Sequence, residues 1–398
     1  MRFLTDLRLS RAPVAAFVGV GVFWGSFAAI LPDLKARLAI GDATLGLILL
    51  ASAAGALVAM WVSPRVDAAL PRWGLTLAGL ALGAVVLPLG LADAVVPFLA
   101  GMVAVGVTTG LYDILGNAHV SRLEARHRLS LMNLNHGIYS FAYAAAALAT
   151  GAAREAGLPP APWFAVVGTV IVLVSTLTLA PRAADGTQGA DGAQESRGRI
   201  TPYVWCAGLV CLIGFFAENA TEGWSALHIE RTLGGGAAEG ALGPAMLGLT
   251  MGVGRLAGHV VTVRGTETAV LRWAALLAAA GLLAAAAAPG PAIAYLGFGC
   301  LGLGVSVTAP LALALAGQTA RPEARTLAVS RAAMIGYFGF FIGPPLMGFL
   351  SEVLGLRAAF GLQRVDLAER GHPRLPGERA AIGFELGDGG PPVVGHRR

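Results

Sequence analysis

Charged residues are scarce in this chain. Of its 398 residues only 13% are Asp, Glu, Lys or Arg, whereas 56% are hydrophobic. Soluble domains carry about 25% charged residues, so this composition excludes an ordinary soluble protein and indicates a membrane protein. The net charge is +5, but the arginines fall in short clusters without interleaved aromatic residues. We therefore expect no nucleic acid among its partners and attribute the charge to membrane topology.

Cysteines are rare and the motifs of enzymes are missing. The three cysteines, Cys206, Cys211 and Cys300, lie in apolar runs and have neither CxxC nor Cys/His spacing, which argues against a disulfide framework and a zinc site. The sequence has no Walker loop, no HExxH motif, and no Ser/His or paired-Asp set spaced for facing helices. We therefore expect no enzymatic activity, no catalytic residues, no metal and no cofactor.

What the chain has instead is long apolar runs. A helix needs about 20 apolar residues to cross the hydrocarbon core of a bilayer, and eleven runs approach or exceed that length. They are Ala12 to Pro32, Ala43 to Pro64, Trp73 to Ala92, Ala94 to Ala118, Leu129 to Ala153, Pro160 to Pro181, Ile200 to Glu222, Gly240 to Val263, Trp273 to Pro289, Pro291 to Leu315 and Ala332 to Ser351. The start of the chain could pass for a cleavable signal, but the first run is long enough to span, so we predict a transmembrane helix there.

A polar segment divides these runs into six and five. Residues 182–199 lack large apolar side chains and predict a cytoplasmic linker. It separates an N-terminal six-helix bundle (1–181) from a C-terminal bundle of five helices (200–362). Arginines concentrate in alternate segments between runs, which by the positive-inside rule places the N-terminus in the cytoplasm. We expect a multi-pass protein of the cell inner (plasma) membrane.

The segment after Leu362 is polar where a twelfth helix belongs. Residues 363–398 hold six Arg and five Asp or Glu, so they cannot span a bilayer and predict a disordered tail. Either a natural truncation or a shifted reading frame would explain it. We favour the frameshift because Gly, Pro and Arg crowd the tail. Reading the genomic DNA in the other two frames tests this, since the hypothesis requires an apolar run of about 20 residues there.

Three stretches resemble a known transporter family. They are GLYDILGNAHVSRLEARHRLSLMNLNHGIYS (110–140), AENATEGWSAL (217–227) and GYFGFFIGPPLMGF (336–349). With the two-bundle layout, they resemble the major facilitator superfamily (MFS), in a bacterial branch related to the fucose permeases. The resemblance covers about residues 12 to 362. It implies a monomeric, all-α polytopic protein with a two-bundle fold of 6+5 transmembrane helices, its twelfth helix missing or frameshifted.

The resemblance also implies candidate residues for an inner gate. The superfamily has a charged cytoplasmic loop between helices two and three, which survives here only as GALVAMWVSPRVDAALPRWG, and His259 stands where the branch usually has Asp. The gate candidates are Arg65, Arg72, Glu124, His259 and Pro344. Pro344 kinks the eleventh helix, which suits a rocking bundle but also occurs in static membrane helices.

Isolated polar residues inside membrane helices usually line a pathway or meet a partner. The candidates for the substrate and proton pathway are Asp113, Asn117, His136, Tyr139, Ser140, Glu218, Trp224 and Arg255. Asp113 either binds a proton or substrate hydroxyl, or ties to loop arginines at the inner gate. His136 is either a titrating partner or a neutral histidine hydrogen-bonded to a neighbouring helix.

Two further side chains have alternative interpretations. Arg255 needs an anionic partner, either Glu218 or Asp113, unless it belongs to the inner-gate pattern. Trp224 either stacks on a sugar ring or belongs to the interfacial aromatic belt. Glu222 follows Glu218 by one helical turn, and we expect it to be a hydrated charge at the outer rim.

These features together predict a secondary active transporter that moves a small solute by alternating access. Its partners would be the solute, the lipid bilayer and protons, and Asp33, Asp113, Glu218 and Glu222 are the acidic candidates for proton coupling. The fucose-permease resemblance favours a polar solute. The alternatives are a drug or metabolite exporter, a membrane enzyme or receptor, and a truncated protein that no longer transports.

Overall fold

A computed structural model describes residues 2–179, 201–264, 266–321 and 324–369 of the chain. The described residues form thirteen α-helices and one short π-helical turn, without strands. The helices are α1 (Arg2–Leu9), α2 (Arg11–Leu38), α3 (Asp42–Ala69), α4 (Gly74–Leu91), α5 (Val95–His127), α6 (Met132–Glu155), α7 (Pro160–Thr176), α8 (Pro202–Leu227), α9 (Ala237–Arg264), α10 (Glu267–Ala287), α11 (Pro291–Gln318), α12 (Arg325–Leu354) and α13 (Leu356–Glu369). The predicted linker (182–199) lies outside the described residues.

Each of the eleven predicted runs coincides with one helix, from α2 to α12. Eight of the described helical segments are long and apolar enough to cross a membrane by length and composition alone, and α7 is a shorter apolar helix. A helix of 28 residues, such as α2 or α3, is about 42 Å long and exceeds the hydrocarbon core of about 30 Å. The all-α polytopic architecture predicted from the sequence is therefore confirmed.

The two halves of the chain pack their helices in the same order. In the first half α2 packs on α6, α3 on α5, and α4 on α7. The corresponding pairs of the second half are α8 with α12, α9 with α11, and α10 with α13. This repetition makes two similar bundles, as expected of a transporter built from internal repeats.

Helix α13 takes the position of a twelfth helix, and the structure describes it as far as Glu369. It begins after Gly355, whose φ of +79° suits glycine, and the fully buried Phe360 anchors it to the core. Its 14 described residues span about 21 Å, less than the hydrocarbon core. The structure differs from the expected boundary at Leu362, because residues 363–369 continue the helix. The rest of the predicted tail, 370–398, lies outside the described residues.

The bundles meet mainly along two pairs of helices, α3 with α12 and α6 with α9, and α2 adds smaller contacts with α8 and α9. Glycine permits the close approach. At Gly46 on α3, the backbone of Pro344 and Pro345 occupies the space that a Cβ would need, and at Gly252 on α9 the ring of Phe141 does so. Pro344 therefore lies at the contact between the bundles.

The seventh membrane helix is longer than its apolar run. We predicted its end at Glu222, but α8 continues to Leu227 and is followed by a π-helical turn, His228–Thr232. Glu222 consequently lies within the helix and is partly buried, and the charges at the end predicted to face outward are Glu230 and Arg231. The prediction that Glu222 is a hydrated rim charge is wrong, because the run was ended at Glu222 although the helix continues beyond it.

Candidate functional site

Arg255 on α9 connects the two bundles near the centre of the protein. Its Nη1 donates to Ser140 Oγ on α6 at 2.6 Å, and its Nη2 lies 3.3 Å from Glu218 Oε1 on α8. The side chains of Arg255 and Glu218 are only 16% and 12% exposed. The predicted anionic partner of Arg255 is thus Glu218 and not Asp113. Ser140 lies in the first bundle and Glu218 in the second, so one guanidinium touches both halves.

A second group of polar residues lies on α5 and α6. His136 Nε2 is 3.1 Å from Asn117 Oδ1, and Asn117 Nδ2 donates to the backbone oxygen of Asp113 at 2.9 Å. Because the Asn117 oxygen can only accept, Nε2 of His136 carries the proton. The ring also lies 4.7 Å from that of Phe17, centroid to centroid. The structure therefore shows the hydrogen bond between helices that was expected of a neutral His136.

Two carboxylates remain without an ionic partner. In the described part of the chain, neither Asp113 nor Glu222 forms an ion pair, and both are partly buried. The alternative that Asp113 ties to loop arginines is not seen. Tyr139, on α6, is partly buried against the main hydrophobic core, and the centroid of its ring lies 6.2 Å from that of Tyr143.

Trp224 does not lie in an interfacial belt. It is 0% exposed and packs within the main hydrophobic core, while its Nε1 has no hydrogen-bond partner among the described residues. The belt interpretation is therefore wrong, because α8 extends beyond Trp224 and places it inside the protein. Two other hydroxyl groups, that of Thr221 on α8 and that of Tyr143 on α6, are also buried without a hydrogen-bond partner among the described residues.

A first ionic cluster around Arg154 of α6 joins the bundles at the ends that the positive-inside rule predicts to face outward, which we call the outer ends. The Arg154 guanidinium, 3% exposed, donates to Asp33 of α2 at 2.6 and 2.8 Å. It also donates to Glu230, in the π turn of the second bundle, at 2.6 and 3.0 Å. A further hydrogen bond of 2.8 Å reaches the backbone oxygen of Ala29. Two bidentate contacts of this kind are strong and directional.

Asp42, the first residue of α3, forms a second ionic cluster. Its carboxylate is 3% exposed and lies 3.0 Å from Lys35 Nζ and 2.6 Å from Arg231 Nη1. Ser351 of α12 donates to it at 2.9 Å. Arg231 and Ser351 belong to the second bundle. We call these two groups, Asp33–Arg154–Glu230 and Lys35–Asp42–Arg231–Ser351, the outer clamp.

Sequence reasoning missed the outer clamp. Lys35, Arg154 and Arg231 lie in the sparsely charged segments that are predicted to face outward. The positive-inside rule counts them only as the minority of basic residues. A usable signal was present, since each lies near an acidic residue, as in the adjacent Glu230 and Arg231. Charge pairs in otherwise uncharged outer loops are candidates for contacts between bundles.

The predicted inner-gate residues whose side chains the structure describes do not come together. Arg65 donates to the backbone of Trp61 at 2.8 Å, and its Cζ lies 4.2 Å from the centroid of the Trp61 ring. Arg72 is exposed. Glu124 instead caps α6 by accepting from the amides of Leu131 and Met132. The side chain of His259 lies outside the described residues.

An ion pair at the end of the first bundle that is predicted to face inward uses other residues. Arg122 Nη1 lies 2.9 Å from Asp67 Oδ2, which ties α5 to α3. Pro344, the fifth gate candidate, packs near the opposite, outer end against Gly46. The Arg122–Asp67 ion pair therefore holds the first bundle together and does not close a gate formed by the predicted residues.

Comparison with protein families and curated proteins gives a consistent result. The family model described as Major Facilitator Superfamily matches residues 14–299 and 256–363. An uncharacterised MFS-type transporter of Yersinia pestis is 28% identical over 353 residues, covering 87% of this chain and 90% of that protein. Membrane protein MosC of Rhizobium meliloti is 26% identical, covering 85% and 83%.

Solved structures show the same fold. A bacterial homologue of the human lysosomal transporter Spinster, in an inward-facing and occupied conformation, superimposes with a TM-score of 0.71 at 17% identity, covering 93% of this chain and 95% of that chain. A variant of the E. coli fucose:proton symporter, FucP, gives a TM-score of 0.59 at 16% identity, covering 92% and 97%. At these identities the likeness concerns the fold alone.

Proposed function

Because the chain belongs to the Major Facilitator Superfamily, we propose that it is a proton-coupled secondary transporter whose small polar solute binds beside Arg255. The observation that carries this proposal is the position of Arg255, which contacts Ser140 of one bundle and Glu218 of the other. A solute bound there touches both bundles, so its binding can bias their relative position. Alternating access requires this property of a central site.

The outer clamp supports an inward-open conformation. Ion pairs join the outer ends of the bundles at Arg154 and Asp42. Along α3, most residues from 42 to 49 are buried or partly buried, whereas the inner half exposes Leu57, Val58 and Trp61. The central site would thus be reached from the inner side, with the protein in the inner membrane and its N-terminus in the cytoplasm.

Proton coupling rests on the carboxylates of the central site. Asp113 and Glu222 are partly buried and have no ionic partner in the described residues, and burial without a partner favours the protonated form of a carboxyl group. Glu218 can exchange Arg255 for a proton. Carboxyl groups that gain and lose protons between two bundles are suited to coupling a proton gradient to solute movement.

The test uses the purified protein in proteoliposomes with an imposed pH gradient and a broad panel of labelled solutes. We expect uphill accumulation of at least one solute, and absence of flux for the whole panel would count against transport. Asp113→Asn should abolish accumulation driven by the gradient, because an amide does not exchange protons in this range. The variant should still insert in the membrane.

Asp93→Asn is the matched control. Asp93 lies exposed in the loop between α4 and α5, so the same chemical change there should leave accumulation intact. Undiminished uphill transport by the Asp113→Asn protein would remove Asp113 from the proton pathway. Exchange of solute without a gradient should survive in that variant if its solute site is intact.

A further inference from the structure

We propose that Glu155 and Glu352 form two equivalent latches that close the outer ends of the bundles, and that both latches open in one concerted motion. Each of these carboxylates lies near the end of a helix in one bundle and caps the start of a helix in the other. We call the two contacts the crossed caps. The inference rests on the proposed function only for the existence of a state in which the outer ends are separated.

The first crossed cap joins α12 to α3. Glu352, in the last turn of α12, accepts a hydrogen bond of 2.8 Å from the backbone amide of Ala43, the second residue of α3. The first four amides of a helix have no acceptor within that helix. Gly41, which precedes α3, has no side chain that could serve as one. The second bundle therefore supplies a cap that the first bundle lacks at this position.

The second crossed cap joins α6 to α9 in the opposite sense. Glu155, the last residue of α6, accepts a hydrogen bond of 3.2 Å from the backbone amide of Ala238, the second residue of α9. Helix α9 likewise follows a glycine, Gly236. The first bundle thus caps a helix of the second bundle, whereas at α3 the second bundle caps a helix of the first.

The internal repeat of the fold makes these two contacts equivalent. Helices α3 and α9 are the second membrane helices of their bundles, and α6 and α12 are the fifth. Glu155 directly follows Arg154 and Glu352 directly follows Ser351, so each carboxylate adjoins a member of the outer clamp. One cap lies at the seam of α3 with α12, and the other lies at the seam of α6 with α9. A rocking motion of rigid bundles that separates the outer ends must therefore break both caps.

Each crossed cap favours closure through a hydrogen bond and through charge. A carboxylate near the start of a helix interacts favourably with the positive end of the helix dipole. Loss of a capping side chain typically changes an equilibrium by about fivefold. Both glutamates are exposed, so their substitution leaves the hydrophobic core intact, and salt should screen the contribution of their charge.

Glycine provides a second way to break the first cap. A Cβ at Gly41 would lie 2.6 Å from Glu352 Oε2, whereas a Cβ at Gly236 would lie 3.6 Å from Glu155 Oε2, which is an ordinary contact. Gly41→Ala should consequently displace the Glu352 carboxylate and have the same effect as Glu352→Ala. Gly236→Ala is its matched control and should leave the second cap in place.

The experiment measures opening at each seam with one introduced cysteine, in the full chain without its native cysteines. Leu49 on α3, 8% exposed, faces Gly223 of the second bundle. Ala245 on α9, 3% exposed, packs with Ala29 and Ala147 of the first bundle. Both positions lie about two turns from the start of their helices, so a maleimide reaches a cysteine there when the outer ends separate.

We expect each substitution to act at the opposite seam as well as at its own. Glu352→Ala should raise the labelling rate at position 245 about fivefold, as much as at position 49, and Glu155→Ala should do the same at both positions. The double variant should give a rise of about 25-fold, because the two effects add in free energy. The glutamine variants keep an acceptor but lose the charge, so each should give a smaller rise of about twofold.

Glu239→Ala is the matched control, since Glu239 accepts from the amide of Gly236 at 2.8 Å, before the same helix α9 but within one bundle. It should leave the labelling rate unchanged at both positions, and circular dichroism checks that each variant is folded. A rise confined to the seam of the substituted residue would overturn the proposal. Unchanged labelling in both alanine variants, or an equal rise with Glu239→Ala, would overturn it as well.

These outcomes are separate from the fate of the proposed function, because labelling requires no solute. If each substitution opens only its own seam while proteoliposomes accumulate a solute, the chain is a transporter and the concerted latch is wrong. If the effects cross between the seams while no solute is transported, the crossed caps stand and transport by this chain does not.

Discussion

The outer clamp gives a prediction whose magnitude can be worked out from the structure. Glu230→Gln removes the charge of the second bundle from the Arg154 cluster, where Glu230 makes contacts of 2.6 and 3.0 Å. Arg154 keeps Asp33 as a partner at 2.6 Å, so the substitution does not strand an unpaired guanidinium. The change therefore isolates the contact between the bundles.

The expected size follows from burial. The side chains of Arg154 and Glu230 are 3% and 16% exposed, so solvent screens their interaction little. A hydrogen bond to a charged group contributes about 1.5–3 kcal/mol, and glutamine retains one weaker acceptor. We expect the closed arrangement of the outer ends to lose about 2 kcal/mol relative to the open one, which multiplies the open population by about 30.

Labelling of a cysteine introduced at Leu49 measures that population. Leu49 is 8% exposed and its Cδ1 faces Gly223 of α8, across the bundle interface. In a background without the native cysteines, the rate of maleimide labelling should rise about 30-fold with Glu230→Gln, provided that the open state remains a minority and closes faster than it reacts.

Glu239→Gln is the matched control for this measurement. Glu239 lies in the same outer region, is exposed, and accepts from the amide of Gly236 in its own bundle at 2.8 Å. The rate of labelling at position 49 in the Glu239→Gln variant should equal that in the background without this substitution. The same rate in the Glu230→Gln and Glu239→Gln proteins would refute the assignment of the Arg154 cluster as the closure between the bundles.

Two further predictions concern the same end of the protein. Arg231→Ala should raise the labelling rate at position 49 only a few-fold. The reason is that Arg231 is 47% exposed and Asp42 retains Lys35 as a partner at 3.0 Å. An effect as large as that of Glu230→Gln would show that Asp42 dominates the closure. Gly46→Ala should separate the outer ends, because the backbone of Pro344 occupies the space of a Cβ, at a cost of about 1–3 kcal/mol. Spin labels at Asp93 and Gly290 should report a longer distance for Gly46→Ala but not for Gly223→Ala, whose Cβ would make an ordinary contact; no difference between the two variants would contradict the packing argument.

Several candidate residues stand out in the sequence because a membrane makes isolated polar groups conspicuous. Asp113, His136, Glu218 and Arg255 interrupt apolar runs, where a polar group is costly unless it has a partner or a function. The structure brings Glu218 to Arg255 and His136 to Asn117. The sequence predicts how many polar residues interrupt the apolar runs and of what type they are, because the cost of burying a polar group depends on the run around it. Their roles in transport stay predictions.

Other features could not be predicted in this way. Glu222 and Trp224 were placed at the outer end of a helix because the apolar run stops near them, yet α8 and the π turn continue to Thr232. A helix continues past a charge that faces other helices. The length of the apolar run therefore underestimates the length of a helix that has polar faces. Helix α13 is a further case. The sequence predicts a polar tail after Leu362, whereas the helix continues to Glu369 and packs against α10.

The sequence by itself predicted eleven apolar runs, each of which coincides with one helix, and the polar groups that interrupt them. These are local properties, decided by the length of an apolar run against the thickness of a bilayer. Only the tertiary structure decided which charges meet. Arg154 and Glu230 are 76 residues apart and Asp42 and Arg231 are 189 apart, and their contact depends on how helices of two bundles pack and in which register. A hydrogen bond forms only within about 3 Å, so partners so distant along the chain are selected by that packing.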